Sequence, residues 1–263
     1  MREVYQSPET ENAAERGKSP KKKRILWALL LVPAVLLAAF LIYCIPYYHT
    51  HHAPDFPADG TVRIREEKNY YFYDGPGEDS ALIFYPGAKV EERSYEDLMV
   101  QIAEGGTDCF LVKMPLHIAF FGKNRANAIL SSYDYSTWYM GGHSLGGSVA
   151  AIYTKAHEDA IDGLFLCASF STADLSDDPA LSVLSVYGSA DRVLEHDKYE
   201  ASRKNYPAGA FTEYVIDGGN HAGFAWYGPQ KGDGKASISQ AEQITKTAEI
   251  FSSWKEAAGS RTE

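Results

Sequence analysis

Gly142-His143-Ser144-Leu145-Gly146 decides how this chain is read. As a bare string, glycine-x-serine-x-glycine arises by chance in a chain of this length about one time in ten. Its flanks give it meaning. Upstream, Thr137-Trp138-Tyr139-Met140 is β-branched and aromatic and stops at Gly141-Gly142. Downstream, Gly146-Gly147-Ser148-Val149-Ala150-Ala151-Ile152-Tyr153 combines helical spacing with very small residues. Strand, sharp turn and helix together make an elbow that presents Ser144 as a nucleophile. The turn strains the serine backbone, so its neighbours must lack bulk, and Gly142 and Gly146 do.

A serine hydroxyl attacks a carbonyl only when a histidine takes its proton and a carboxylate orients that histidine. Leu181 to Tyr187 alternates like a strand and runs into Gly188-Ser189-Ala190-Asp191, which makes Asp191 the expected acid. Phe211 to Ile216 reads as the next strand, and Asp217-Gly218-Gly219-Asn220-His221 turns off its end with His221 as the expected base. Asp174, which follows the preceding strand, is the alternative acid, and Asp217 lies nearer to His221 in sequence but within its own strand end. The strand Ala81-Leu82-Ile83-Phe84-Tyr85 leads into Pro86-Gly87-Ala88-Lys89, a turn where backbone approaches a substrate carbonyl. The expected oxyanion donors are therefore the amides of Leu145 and Ala88.

Four blocks now stand at the ends of four strands: Phe84-Tyr85-Pro86-Gly87-Ala88, Gly142-His143-Ser144-Leu145-Gly146, Tyr187-Gly188-Ser189-Ala190-Asp191 and Asn220-His221-Ala222-Gly223-Phe224. Over about Thr61 to Ala258 the chain resembles the α/β-hydrolase superfamily, and within it small bacterial esterase-like or dienelactone-hydrolase-like members. The order Ser, Asp, His is that superfamily's order. Two departures stand out. Tyr-Pro-Gly replaces the His-Gly common in esterases and lipases, and the nucleophile is Ser where many dienelactone hydrolases carry Cys.

The implied fold is α/β, a mainly parallel eight-stranded sheet with helices on both faces and no large cap domain. Strands are expected at Val62–Glu66, Tyr70–Tyr73, Ala81–Tyr85, Cys109–Lys113, Thr137–Met140, Ile161–Ala168, Leu181–Tyr187 and Phe211–Ile216. Helices are expected from Ser94, where Ser94 and Asp97 look like a capping box, and over Asn124–Ser132, Leu145–Ala156 and Ile238–Ala257. Only Ser169 to Ala180 separates the sixth and seventh strands, too short for a cap. The glycine-rich, aromatic segment Ala222 to Gly234 reads equally as a mobile lid or as a rigid plug over the core. Met114-Pro115-Leu116-His117 is a further candidate pocket wall.

Ile25 to Ile45 is an uncharged, apolar run of 21 residues, long enough to cross a bilayer as one helix. Its exit, Leu41-Ile42-Tyr43-Cys44, has too large a residue at Tyr43 for signal cleavage or for lipidation of Cys44, so an uncleaved anchor is expected. Lys18, Lys21, Lys22, Lys23 and Arg24 precede the run and no Lys or Arg follows within Tyr47 to Gly60, which puts the N-terminus in the cytoplasm and the enzyme domain outside. The expected organisation is a basic tail (1–24), a transmembrane helix (25–45), a linker (46–60), the hydrolase domain (61–258) and a short tail (259–263). Residues 1–24 hold seven basic and four acidic side chains, so the chain's net −10 leaves −13 for the remainder, which repels nucleic acid.

His49, His51 and His52 read as solvated linker, and no metal or organic cofactor is indicated. Cys109 and Cys167 fall on strands that the resemblance places three positions apart, about 14 Å and beyond disulfide reach. Both are expected as free core thiols, which suits a bacterial envelope. The expected activity is cleavage of a carboxylic ester or related acyl bond of a small-molecule or lipid-like substrate through an acyl-enzyme. Acyl transfer to another acceptor, or a non-catalytic envelope binding module on the same fold, are the alternatives.

Overall fold

The computed structural model describes residues 20–51 and 60–259. The basic tail as far as residue 19, residues 52–59 with His52, and residues 260–263 lie outside the described residues. Two compact units divide between Ile45 and Pro46. The first contains one described element, the 25-residue helix α1 (Pro20–Cys44), with Pro33 inside it. The side chains of Leu26 and Tyr43 lie outside the described set, which leaves 27–42 as the longest continuous part of its apolar run. Among the described residues no helix is long and apolar enough to cross a membrane.

The second unit is built on one eight-stranded sheet ordered β1-β2-β4-β3-β5-β6-β7-β8. The strands are β1 (Arg63–Glu66), β2 (Tyr70–Asp74), β3 (Ser80–Tyr85), β4 (Asp108–Val112), β5 (Thr137–His143), β6 (Gly163–Cys167), β7 (Ser182–Gly188) and β8 (Phe211–Ile216). β2 pairs antiparallel with β1 on one side and with β4 on the other, and every other pairing is parallel. Parallel strands covered on both faces need continuous apolar runs, and β3, β4 and β6 are buried at every position. At the rim, β1 is Arg-Ile-Arg-Glu and exposed throughout, a charged edge that discourages pairing with another chain.

Residues alternate between two cores. Leu82 and Phe84 of β3 pack on one face with Leu98, Met99 and Ile102 of α2 (Glu96–Glu104) and Ile244, Phe251 and Trp254 of a long C-terminal helix. Ala81, Ile83 and Tyr85 pack on the other with Ile129 of α3 (Ala126–Leu130) and Val149, Ala150 and Tyr153 of α4 (Leu145–Lys155). The remaining helices are α5 (His196–Ser202) and α6 (Gln240–Gly259), the long C-terminal one. Because β4 and β5 flank β3 on opposite sides, the chain reverses its direction of winding there, and the crevice at the carboxyl ends of these strands is where such sheets hold ligands.

Three expectations change. The Ser94 capping box does not form, since a 3-10 turn (Glu92–Tyr95) precedes α2 and the buried Ser94 hydroxyl has no partner among the described residues. Asp97 instead accepts the Trp226 indole N–H at 2.5 Å. The helix expected at Asn124–Ser132 is a 3-10 segment (Ala119–Arg125) running into the short α3, and α5 was not expected at all. The linker's described histidines, His49 and His51, are exposed as expected, but its backbone and its two tyrosines dock on the domain. Tyr48 bridges to Val90, the Tyr47 ring stacks on His117 at 3.9 Å between centroids, and the His51 amide donates to the Trp226 carbonyl at 2.9 Å. Its aromatic side chains favour that contact over water. Cys109 and Cys167 are buried and free, with burial pushing both thiols above their ordinary pKa.

Candidate active site

Strand β5 continues through Gly141 and Gly142 to His143, and α4 begins at Leu145, so Ser144 alone makes the turn. It sits at φ 53°, ψ −125°, a left-handed conformation that a non-glycine residue holds only when its surroundings fix it. They do. The Ser144 amide donates to the Cys167 carbonyl at 2.9 Å, and its own carbonyl accepts the Ser148 amide at 3.2 Å and the Ser169 hydroxyl at 2.7 Å. A Cβ on Gly146 would stand 2.2 Å from the Tyr85 carbonyl oxygen and 2.3 Å from that of Pro86. Only glycine lets the turn after β3 lie against the start of α4.

Asp191 and His221 come together from the ends of β7 and β8. His221 Nδ1 lies 2.8 Å from Asp191 Oδ2 with both side chains almost wholly buried. The other carboxylate oxygen accepts the amides of Val193 (2.8 Å) and Leu194 (2.9 Å), which fixes the carboxylate's rotation. His221 Nε2 is buried and has no partner among the described residues. Ser144 and His221 line the same small pocket, about 190 Å³, together with Leu145, Ser148, Phe170 and Glu195. Asp174 and Asp217, the other carboxylates considered, are exposed and accept from Ser176 and Ser189.

Around the β3 turn, the Gly87 amide donates to the Tyr95 hydroxyl at 3.0 Å and the Lys89 amide to the His117 carbonyl at 2.6 Å. Among the described residues neither the Ala88 nor the Leu145 amide has an acceptor, so Ala88 is the uncommitted donor of its turn.

Several residues that hold this arrangement were not visible in the sequence. His143, 1% exposed, joins Tyr95 through Nδ1 at 2.7 Å and the His221 carbonyl through Nε2 at 3.0 Å. Because the Tyr95 hydroxyl takes the Gly87 proton and donates its own, His143 carries its proton on Nε2 and donates to His221. Burial and the neighbouring His221 ring lower its pKa well below the ordinary value, so it stays neutral. Asp233 accepts the amides of His221 (3.2 Å), Ala222 (2.9 Å) and Gly234 (2.7 Å). Gln243 of α6 accepts from the Asn220 amide at 3.0 Å and donates to the Asn220 carbonyl at 2.8 Å. The only sequence signals were a histidine beside the serine and a carboxylate in a glycine-rich loop. Over Ala222–Tyr227 the loop after His221 is packed onto the core, with Phe224, Ala225 and Tyr227 buried.

The alpha/beta hydrolase family model matches residues 81–245, from β3 into α6. The chain belongs to that family. This alpha/beta hydrolase has no match among curated proteins at the sequence level. Among solved structures it resembles carboxyl esterase 2 of the mycorrhizal fungus Tuber melanosporum, at 12% identity over 80% of this chain and 91% of that one, TM-score 0.54. It also resembles a monoacylglycerol lipase of Paleococcus ferrophilus (13%, 70% and 99%, 0.54). A third is MGS-MChE2, an alpha/beta hydrolase from the metagenome of lagoon sediments at Mar Chica, Morocco (14%, 74% and 98%, 0.55). At these identities the likeness is one of fold.

Proposed function

We propose that this alpha/beta hydrolase cleaves carboxylic esters through an acyl-enzyme on Ser144, from a domain held at the outer face of a membrane. The observation that carries the reading is the buried His221–Asp191 pair, whose unpartnered Nε2 belongs to the pocket that Ser144 lines on its strained turn. In this reading His221 Nε2 removes the Ser144 proton as Oγ attacks the ester carbonyl. Asp191 keeps the second imidazole proton on Nδ1 and stabilises the imidazolium. The amides of Leu145 and Ala88 receive the oxyanion, and the absence of any acceptor for them among the described residues supports that role. The imidazolium then protonates the leaving alkoxide. Water, deprotonated by the same histidine, releases the acid.

An acyl or lipid-like substrate is favoured by the folds this chain shares with a carboxyl esterase and a monoacylglycerol lipase. Anchoring rests on the sequence, the uncharged run from Ile25 to Ile45 after a lysine cluster, and on its helical conformation in α1. The test is hydrolysis of p-nitrophenyl esters from acetate to palmitate by the full chain and by Ser144→Ala. Turnover that disappears in the variant supports the reading, and turnover that survives it excludes Ser144 as nucleophile.

A further inference from the structure

Three large apolar side chains stand out of the segment between β4 and α3: Leu116 is 45%, Phe120 59% and Phe121 50% exposed. Nothing in the proposed chemistry uses them. Their segment is tightly held, since the Lys89 amide donates to the His117 carbonyl and the Tyr85 hydroxyl to the Lys123 carbonyl, so these side chains stand out from a fixed backbone. Both bonds come from the end of β3 and the turn that carries Ala88, and Leu145, on the rim of the Ser144 pocket, is also exposed. The apolar surface therefore belongs to the same end of the sheet as the pocket.

Two further observations choose its occupant. The chain enters the domain at this point: Tyr47 stacks on His117, next to Leu116, and the Tyr48 amide donates to the Lys89 carbonyl at 2.7 Å. Ile45, the last residue of the apolar run, is two residues from Tyr47, a span of about 7 Å. The segment's own charge is also basic, although Glu66 pairs with Lys113 at 2.7 Å and Glu92 faces His117 at 3.1 Å. Between Asp108 and Asp134 there is no acidic residue, while Lys113, Lys123 and Arg125 occur, in a domain that is otherwise strongly acidic. Exposed aromatics with an exposed lysine, Lys123, are the composition of a membrane-interface surface.

We propose that Leu116, Phe120, Phe121 and Lys123 seat the domain on the membrane to which the anchor reading ties it, so that the pocket takes ester substrates from the lipid phase. This rests on the ester-hydrolase and anchor readings above and adds the substrate's source. A lid is unnecessary in such an arrangement because the bilayer itself covers the apolar approach.

The full chain is reconstituted in vesicles of phosphatidylcholine with phosphatidylglycerol. An environment-sensitive fluorophore is placed on Phe120→Cys, with Glu78→Cys, ahead of the opposite end of β3, as the control. Emission shifted to the blue at position 120 alone, and quenched by nitroxide-labelled lipid, supports the seat. Equal emission at both positions overturns it, as does a shift that appears in detergent only as protein concentration rises, which would mark a second copy of this chain as the occupant.

In the same vesicles, Phe120→Ser/Phe121→Ser is expected to lower hydrolysis of embedded diacylglycerol at least tenfold and to leave p-nitrophenyl acetate hydrolysis unchanged. No change on either ester, or an equal fall on both, overturns the proposal. Wild-type chain that cleaves neither ester refutes the hydrolase reading instead, and the fluorophore still decides the seat.

Discussion

His143 Nε2 lies 3.0 Å from the carbonyl oxygen of His221, which ties the residue before Ser144 to the backbone of the buried histidine. Through Nδ1 the same ring reaches the Tyr95 hydroxyl, and that hydroxyl holds the Gly87 amide. One buried chain of hydrogen bonds thus links the turn of Gly87 and Ala88, the proposed oxyanion donor, to the loop of His221, the proposed general base. Tyr95→Phe leaves the Gly87 amide and His143 Nδ1 without partners. Stability should fall by about 1–3 kcal/mol. If the chain positions catalytic groups, kcat should fall with little change in KM. Urea unfolding and steady-state kinetics on a soluble ester measure the two effects, and unchanged kcat would reduce Tyr95 to a packing role.

The neutral state of His143 fixes a dependence on pH. Burial, then the neighbouring His221, lowers its pKa below 6.5 in the fold, whereas the unfolded chain protonates it near that value. Below pH 6.5 the unfolded state therefore binds a proton that the native state refuses. The contribution is complete above 6.5 and is lost as pH falls, with a slope approaching about 1.4 kcal/mol per pH unit. His143→Gln, which keeps an amide near the His221 carbonyl, should be less stable at pH 7 and should lose this slope. Unfolding free energies at pH 7 and 5 for both chains decide it.

Two glycines with different reasons should respond differently to alanine. At Gly146 a Cβ meets the carbonyl oxygens of Tyr85 and Pro86 at 2.2 and 2.3 Å, and neither backbone can yield without moving the turn that carries Ala88. Gly146→Ala should unfold the chain or abolish activity. At Gly232, φ is 89° and a Cβ would meet no described residue beyond its chain neighbours within 4 Å, so alanine there costs only backbone strain, about 1–2 kcal/mol. Soluble yield and ester turnover of the two variants test the contrast.

The sequence located the sheet well because its strands are short apolar or alternating runs closed by glycine, proline or aspartate, and Phe211–Ile216 was read to the residue. β5 was read too short, since Gly141 and Gly142 look like a turn and are in fact strand residues pressed against β3 and β6. α5, with the sequence His-Asp-Lys-Tyr-Glu-Ala-Ser, has too few apolar positions to show a helical period. The positions of Ser144, Asp191 and His221 at strand ends were legible because each follows an apolar or alternating run, and the structure places them after β5, β7 and β8. Tyr95, His143, Asp233 and Gln243 were not, because their roles come from long-range contacts that no local pattern records.

Asp233 is the clearest of these. Its carboxylate accepts the amides on both sides of the base, His221 and Ala222, and that of Gly234, so it sets the direction in which the imidazole leaves the backbone. Asp233→Ala should release the loop. Misplacing a base by about 1 Å costs on the order of 100-fold in rate, so kcat should fall by about ten- to 100-fold, with Asp233→Asn intermediate because its amide oxygen still accepts. A fall in KM-linked binding alone would contradict this.

In the proposed mechanism Asp191 acts on the base directly, and the same chemistry predicts a larger loss. Its Oδ2 is the acceptor that keeps a proton on His221 Nδ1, leaving Nε2 free to take one from Ser144. Asparagine in its place presents an amide N–H to that nitrogen or rotates away from the Val193 and Leu194 amides that hold the other oxygen. Either way the imidazole favours the tautomer with its proton on Nε2, which cannot act as a base toward serine. Asp191→Asn should therefore keep the fold and lose about 10⁴-fold in kcat. Full activity in Asp191→Asn would move the acid's role to another carboxylate, and Asp174→Asn would then be the variant to assay.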